Sequence, residues 1–325
     1  MTSPPLLVPR TLISQLLHLY DYPDPRRPGR LIKGYDCPHA LRTARMCAAV
    51  AQRMGHQPAR VKQYQIACIL HDLGRAGLDR RLFGRIWSWA RAQGIPTRPR
   101  EWRVLHPETR YGRETEAFVS RYRGAMEAAG IELNPWACEQ VEMRLGYARR
   151  LAARLRAVKP RLRELAVTWS PWMSRIMLYY YYPEKLKGAQ PWVRQLAEIL
   201  VACEQFEAYS NQRRGRDYYV RQREDVSEAF AYLDALHGEG IISRPVVQAL
   251  RELAAEGVFD RVLEEARGRS LSRRERTVLR RAGQEALGTA GASWEIFQAP
   301  ASRTRRGDSS RGVSWPEGAS VLSST

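Results

Sequence analysis

Three of the six histidines fall where a metal ligand would be useful, and one of them is followed directly by a carboxylate. His71 and Asp72 close an apolar stretch, 66–70, that is predicted to be a buried helix. An ionised carboxylate that is buried alone is strongly disfavoured, so it requires a cation or strong hydrogen bonds. A divalent metal would satisfy the imidazole and the carboxylate together. The pair is therefore a candidate metal site, although a lone His-Asp pair is common by chance.

Two predicted helices would bring a second histidine to this pair. Apolar residues at helical spacing predict one helix over 41–55 and a second over 60–73. The connection between them is short, so antiparallel packing is expected. His39 lies at the start of the first helix and His71 ends the second, and antiparallel packing would place them together. The alternative is that His39 faces solvent at a helix start.

The order of these residues resembles a known superfamily. His39, then His71-Asp72 followed by Leu73-Gly74-Arg75, is similar to the HD superfamily of metal-dependent phosphohydrolases. The likeness extends over roughly residues 36–265 to the HD-GYP branch, whose members hydrolyse cyclic di-GMP. Three further segments resemble that branch in the right order: Glu101-Trp102 with His106-Pro107-Glu108, the loop Tyr181–Gly188, and the helical segment Cys203–Ala208.

The chain also departs from the branch at its metal ligands. No histidine lies between His106 and His237, so the branch's two adjacent histidines before its Tyr-Pro are absent. Tyr181 stands in place of the signature glycine, Arg75 in place of a lysine, and Glu204 in place of the closing aspartate. A full binuclear or trinuclear centre therefore cannot be built, and the resemblance implies a divergent domain with a reduced centre.

The resemblance implies five metal ligands: His39, His71, Asp72, Glu204 and, nearby, His106. Such nitrogen and carboxylate ligands suit one borderline or hard divalent cation such as Mn²⁺, Fe²⁺ or Mg²⁺, with no bound metal as the alternative. Asp72 would also hold the attacking water, and Arg75 would clamp a phosphate through its planar guanidinium. The alternatives are a relic His71-Asp72 pair, a structural His106, and a solvated face carrying Glu204 and Glu207.

Two functions from different classes remain open. The first is a metal-dependent phosphohydrolase or phosphodiesterase acting on a nucleotide or cyclic dinucleotide. The second is a catalytically inactive HD-GYP-like signalling module that binds a nucleotide or a protein partner. The expected partner is a phosphate-containing small molecule, and a protein partner is the alternative for the inactive module.

Composition excludes several other classes. Hydrophobic residues make up 44% of the chain and charged residues 27%, which is too apolar for a wholly disordered protein. No stretch approaches the ~18 apolar residues of a membrane span, and the N-terminus is a poor signal peptide. The five cysteines are widely spaced without a CxxC pair, so neither a zinc ribbon nor a disulfide framework is indicated. These features predict a cytoplasmic protein.

The net charge of +19 favours an anionic partner of some kind. Of the 53 basic residues only five are lysine, a bias typical of a high-GC genome, but such bias does not explain the charge excess. Residues 144–163 are basic and carry an apolar stripe, which predicts an amphipathic helix that ends at Pro160. Its basic face would bind nucleic acid, an anionic membrane or an acidic partner, or would only be solvated; nucleic acid is the less favoured partner.

The chain is predicted to be all-α, because no stretch shows sustained period-two alternation. A lead helix and loop occupy residues 1–30, with a helix centred on Ile13 and Leu16. An HD-type helical bundle follows over 31–268, with a helical insertion at about 120–165. Residues 269–325 form a basic tail, with a short helix over 273–287 and disorder after Gly288.

Overall fold

The computed structural model describes residues 4, 6–34, 37–210 and 226–282, and their backbone is almost entirely helical. This confirms the predicted all-α class. The described residues all belong to one compact unit. Their fourteen α-helices are α1 (Arg10–His18), α2 (Cys37–Arg53), α3 (Pro58–Ile69), α4 (Arg80–Ala92), α5 (Pro99–Leu105), α6 (Glu114–Ala128), α7 (Pro135–Glu142), α8 (Tyr147–Glu164), α9 (Pro171–Leu178), α10 (Pro191–Tyr209), α11 (Val226–Gly238), α12 (Arg244–Ala255), α13 (Asp260–Arg267) and α14 (Arg273–Arg281).

One short β-ribbon departs from the purely helical expectation. Strand β1 (Tyr22–Pro23) pairs antiparallel with β2 (Leu31–Ile32), and Tyr22 lies opposite Ile32. Each strand has only two residues, so no period-two alternation can exist and the sequence carries no signal for it. The ribbon closes the proline-rich loop between α1 and α2.

Helix α10 is the centre of the main core. It packs against α2, α9, α11 and α12, and its side chains are buried around most of its circumference. A helix surrounded in this way must be apolar on most sides, and burial of each large aliphatic side chain contributes roughly 1.5–3 kcal/mol. Any polar residue on α10 therefore needs a specific partner.

A second apolar cluster forms beside the main core from α4 to α7. Its largest buried side chains are Trp87, Trp102, Phe118 and Met126. Its buried members run from Leu78 to Leu145, so the cluster extends into the predicted insertion at about 120–165. The predicted domain boundaries stay a prediction.

Helix α8 continues past the proline that was predicted to end it. Pro160 lies inside the helix, and proline at an interior position removes one helical hydrogen bond. Val158 and Leu162 on either side are buried in the main core, so the apolar stripe holds the helical path through to Glu164. The prediction that the helix ends at Pro160 was wrong, because burial of the neighbouring apolar side chains outweighs the local effect of proline.

Two arginines of α8 donate hydrogen bonds to backbone carbonyl groups inside the protein. Arg150 donates hydrogen bonds to the carbonyl oxygens of Gly74 at 2.9 Å and Ala76 at 2.7 Å. Arg154 donates to the carbonyl oxygens of Leu19 at 3.1 Å and Asp21 at 3.3 Å. Part of the predicted basic face therefore fastens α8 to the chain segments around it.

None of the described helices combines the length and the apolar character that a bilayer crossing requires.

Helix α14 begins with a capping box. The Ser272 hydroxyl accepts from the Glu275 backbone N–H at 3.2 Å, and the Glu275 carboxylate accepts from the Ser272 N–H at 2.7 Å. Arg269 and Arg267 also bind this carboxylate. The Arg269 hydrogen bonds, followed by those of Ser272 and the charge of Arg267, lower the pKa of Glu275 from 4.5 to about 2. The predicted disorder after Gly288 lies outside the described residues.

Replacing Glu275 tests this cap through its pH dependence. A depressed folded-state pKa contributes stability that is present above pH ~4.5 and is lost as the pH falls toward 2. Glu275→Gln should therefore lower the free energy of unfolding by about 1 kcal/mol at pH 7, after discounting for solvent screening. The deficit relative to wild type should shrink in urea titrations between pH 5 and about 3. Glu132→Gln, at an exposed acid, is the matched control; a pH-independent deficit in Glu275→Gln would contradict the assignment.

Candidate metal centre

His39, His71 and Asp72 come together at one buried point. One potential ligand atom from each lies within 4.8 Å of the others, and all three residues are buried. The imidazole centroids of His39 and His71 are 5.3 Å apart, edge to face. The start of α2 therefore lies beside the end of α3, as antiparallel packing predicts. Among the described residues this is the single group with metal-ligand geometry.

The His71 ring presents one nitrogen as a potential ligand. Its Nδ1 lies 2.7 Å from the Cys68 carbonyl oxygen, which can only accept, so Nδ1 carries the proton. Nε2 then has the lone pair. This atom is buried and makes no hydrogen bond with any described residue, and its distance of 3.8 Å from Asp72 Oδ2 is too long for one. A buried, unpaired imidazole nitrogen fits a cation beside it.

The His39 ring is held by a carboxylate from the opposite helix. Its Nδ1 donates to Glu207 on α10, and the Arg42 Nε donates to the same carboxylate at 2.7 Å. In the neutral ring, this donation leaves the lone pair on the Nε2 of His39. Metal-binding histidines characteristically donate their other ring N–H to a carboxylate or a carbonyl oxygen, and both rings here do so.

Glu207 was missed as a functional residue by sequence reasoning. The solvated face considered for Glu204 and Glu207 is wrong, since the two residues are 8% and 0% exposed. The available signal was the burial of α10 on most sides, which leaves little room for a solvated face. That signal does not identify His39 and Arg42 as the partners.

Asp72 is compensated by an arginine of the same turn. Arg75 donates to Asp72 Oδ2 at 2.9 Å and to the Tyr181 hydroxyl at 2.5 Å. Burial acts to lower the pKa of the Arg75 guanidinium, but the charges of Asp72 and other neighbours outweigh it and hold the pKa well above its usual value. The Arg75 Nε is buried and unpaired among the described residues. The predicted clamp residue thus lies against the candidate metal ligand.

The N-terminal segment fastens the other side of this turn. The Tyr20 hydroxyl donates to the Ile69 carbonyl oxygen at 2.8 Å and accepts from the Asp72 N–H at 3.3 Å. Burial and the neighbouring Asp72 charge raise the pKa of this phenol well above its usual value. Tyr20 is therefore a neutral hydrogen-bonding group that fixes the end of α3 relative to Asp72.

A small cavity adjoins the candidate ligands. Its volume is about 10 Å³, and its polar lining includes His71, Asp72 and Glu204. Tyr180 and Tyr181 form part of the wall. This volume is about that of a single water site, so it suits an ion or a water molecule rather than a nucleotide. Glu204 lines the same cavity, although its carboxylate is not in the three-residue ligand group.

His106 lies apart from that group. Its ring packs on Trp102 in the second apolar cluster, with the centroids 4.2 Å apart. Arg121 Nη1 lies 2.7 Å from His106 Nδ1, and this guanidinium can only donate. The structure thus gives His106 a well-defined environment on α5 and α6, and its predicted metal role stays a prediction.

Comparison with known proteins yields no relative. No protein-family model matches the sequence, and neither a curated protein nor a solved structure is significantly similar to the chain. The resemblance to the HD superfamily therefore stays a prediction.

Gly74 permits the contact that holds the turn after His71. The Tyr147 hydroxyl donates to the His71 carbonyl oxygen, and the ring lies so close that a Cβ at Gly74 would be 2.6 Å from Tyr147 Cε2. Gly74→Ala should therefore lower the free energy of unfolding by about 2 kcal/mol, because the ring cannot move without losing its hydrogen bond.

Urea denaturation measures this effect against a matched glycine. Gly124 lies within α6, and a Cβ there would meet nothing within 4 Å. Gly124→Ala should stabilise the protein by up to about 1 kcal/mol through reduced backbone entropy. Equal effects of the two alanines would mean that the Gly74–Tyr147 contact is unimportant.

Removing the charge of Glu207 tests the support behind His39. Glu207→Gln leaves Arg42 without its buried counter-ion, so the free energy of unfolding should fall by about 3 kcal/mol. Glu127→Gln removes the same charge from an exposed pair with Arg123 and should change the stability by at most about 0.5 kcal/mol. Chemical denaturation of both variants decides the point, and similar losses would contradict a specific role for Glu207.

Proposed function

We propose that this protein is a divergent HD-type phosphohydrolase that acts on a nucleotide or cyclic dinucleotide and holds one divalent cation. The carrying observation is the convergence of His39, His71 and Asp72, with the buried Nε2 of His71 unpaired among the described residues. Mixed imidazole and carboxylate ligands suit Mn²⁺, Fe²⁺ or Mg²⁺. A cation held there would supply Lewis-acid polarisation of a phosphate oxygen and a bound water of lowered pKa.

The remaining residues of the centre orient and compensate these ligands. Glu207 and the Cys68 carbonyl oxygen hold the two imidazoles in the tautomer that a ligand requires. Arg75 is held by Asp72 and Tyr181, and its buried Nε, unpaired among the described residues, would donate to a phosphate oxygen only after the site opens. Glu204 adds a second carboxylate to the cavity wall.

The five cysteines are free thiols, which fits the reducing cytoplasm proposed as the location of this protein.

Two observations favour a second candidate, a catalytically inactive module that binds a nucleotide or a protein partner. The cavity of about 10 Å³ cannot hold a nucleotide, and Arg75 already compensates Asp72 at 2.9 Å. Hydrolysis would require the turn that carries Tyr180 and Tyr181 to move away from the ligands. An inactive module would retain the helices and the buried pairs without that opening.

Metal content separates the two candidates. Protein purified without chelators should contain about one equivalent of Mn or Fe by plasma mass spectrometry, and Mn²⁺ should raise the melting temperature of chelator-treated protein. His71→Ala and the isosteric Asp72→Asn should lose both properties. His18→Ala, at an exposed histidine of α1, should retain both.

Hydrolysis is then measured on bis(p-nitrophenyl) phosphate and cyclic di-GMP with added Mn²⁺. Turnover that disappears in Asp72→Asn supports the enzyme. A folded, metal-free wild-type protein without turnover under Mn²⁺, Fe²⁺ or Mg²⁺ would reject the hydrolase, and a nucleotide-induced rise in its melting temperature would support the inactive module.

A further inference from the structure

The exposed hydrophobic side chains of the described region are concentrated in one place. Among the described residues, four large hydrophobic side chains are exposed, and three of them lie within residues 104–111. Val104 is 79% exposed and Leu105 57% exposed, at the end of α5, while Tyr111 follows in the next loop. A cluster of this kind marks an interaction site more often than single exposed residues do.

Unpaired cations surround this cluster. Arg100, Arg110, Lys185 and Lys187 are exposed and make no ion pair with any described residue. Of the nearby acids, Glu101 pairs with Arg98, Glu108 with Arg121, and Glu184 with Arg103, whereas the exposed Glu239 makes no ion pair with any described residue. Four unpaired cations and one unpaired carboxylate leave this surface with an excess of positive charge.

The contacts join these residues into one continuous surface. Arg100 and Val104 are four residues apart on α5, so they lie on the same helix face. Arg100 and Lys187 line a cleft of about 430 Å³ together with Glu184 and Glu239. The Arg103 guanidinium binds Glu184 and lies 5.0 Å from the Tyr111 ring centroid, and Lys185 Nζ lies 5.1 Å from the same centroid.

We propose that Arg100, Val104, Leu105, Tyr111, Lys185 and Lys187 form a peripheral docking surface for a bilayer that contains anionic phospholipid. The aliphatic pair enters the boundary between headgroups and acyl chains, where an interfacial apolar face binds. The cations meet the negative surface potential of the lipid, and the cleft between Arg100 and Lys187 receives a headgroup phosphate.

Two properties favour lipid over another macromolecule. Almost nothing packs on Val104, so the aliphatic tip protrudes instead of lining a groove for a peptide. Single-stranded nucleic acid is bound on open aromatic faces, but the Tyr111 ring already lies against Arg103 and Lys185. This surface lies outside the candidate metal centre, so the inference is independent of the proposed activity.

Sedimentation of the full chain with lipid vesicles tests the proposal. The protein should partition into vesicles of equal phosphatidylglycerol and phosphatidylcholine but not into pure phosphatidylcholine. Raising NaCl from about 0.1 M to about 0.5 M should weaken binding, because the Debye length falls from ~10 Å to ~4 Å. Equal partition into both vesicle types would overturn the proposal.

Paired variants locate the surface. Val104→Asp with Leu105→Asp should lower the partition coefficient by at least about tenfold, whereas Leu31→Asp, at the remaining exposed hydrophobic residue, should leave it unchanged. Lys185→Glu with Lys187→Glu should lower it by about tenfold or more. Lys33→Glu with Lys62→Glu makes the same charge change at two exposed lysines elsewhere and should have little effect.

Three results would reject this surface. Wild-type partition of the Val104/Leu105 variant would show that the aliphatic pair is not inserted. Equal loss in both lysine pairs would show that net charge alone binds lipid. A lower molar mass of the Val104/Leu105 variant than of wild type in light scattering would show that a second copy of the chain covers the patch. Circular dichroism confirms that each variant remains folded.

Discussion

A carboxylate with no exposed surface governs how the central helices of this protein can pack. Glu207 is fully buried on α10, and an ionised carboxylate in that position is stable only with well-placed cationic or hydrogen-bonding partners. His39 and Arg42 supply them from one turn of α2. A shift of either helix would break both contacts at once, so the pairing aligns α2 with α10 and places the His39 ring.

The same requirement operates at Asp72, where it bears on both proposed functions. Arg75 compensates this carboxylate and is itself held by the Tyr181 hydroxyl. A divalent ion beside His71 would be a second positive charge on the same carboxylate. An active enzyme would need the ion and Arg75 to share Asp72, whereas an inactive module needs Arg75 alone. The small cavity favours the inactive module, whereas the unpaired His71 Nε2 favours a bound ion.

Sequence periodicity predicts the parts of the site that depend on local structure. The helices carrying His39 and His71 follow from apolar spacing and a short connection, so their convergence could be expected. The partners of Glu207 could not, because pairing across 165 or more residues leaves no periodic signal. The predicted end of α8 at Pro160 was wrong for the same reason: burial of Val158 and Leu162 is a tertiary effect.

The position of Tyr20 has a practical consequence for any shortened version of this protein. This residue lies before α2, outside the predicted bundle, yet its hydroxyl joins the end of α3 to Asp72. An expression fragment that begins at His39 would lack Tyr20. The turn that carries His71 and Asp72 would then lose the two hydrogen bonds that the Tyr20 hydroxyl makes with its backbone. A test of the proposed metal binding on such a fragment would therefore not isolate the contribution of the candidate ligands.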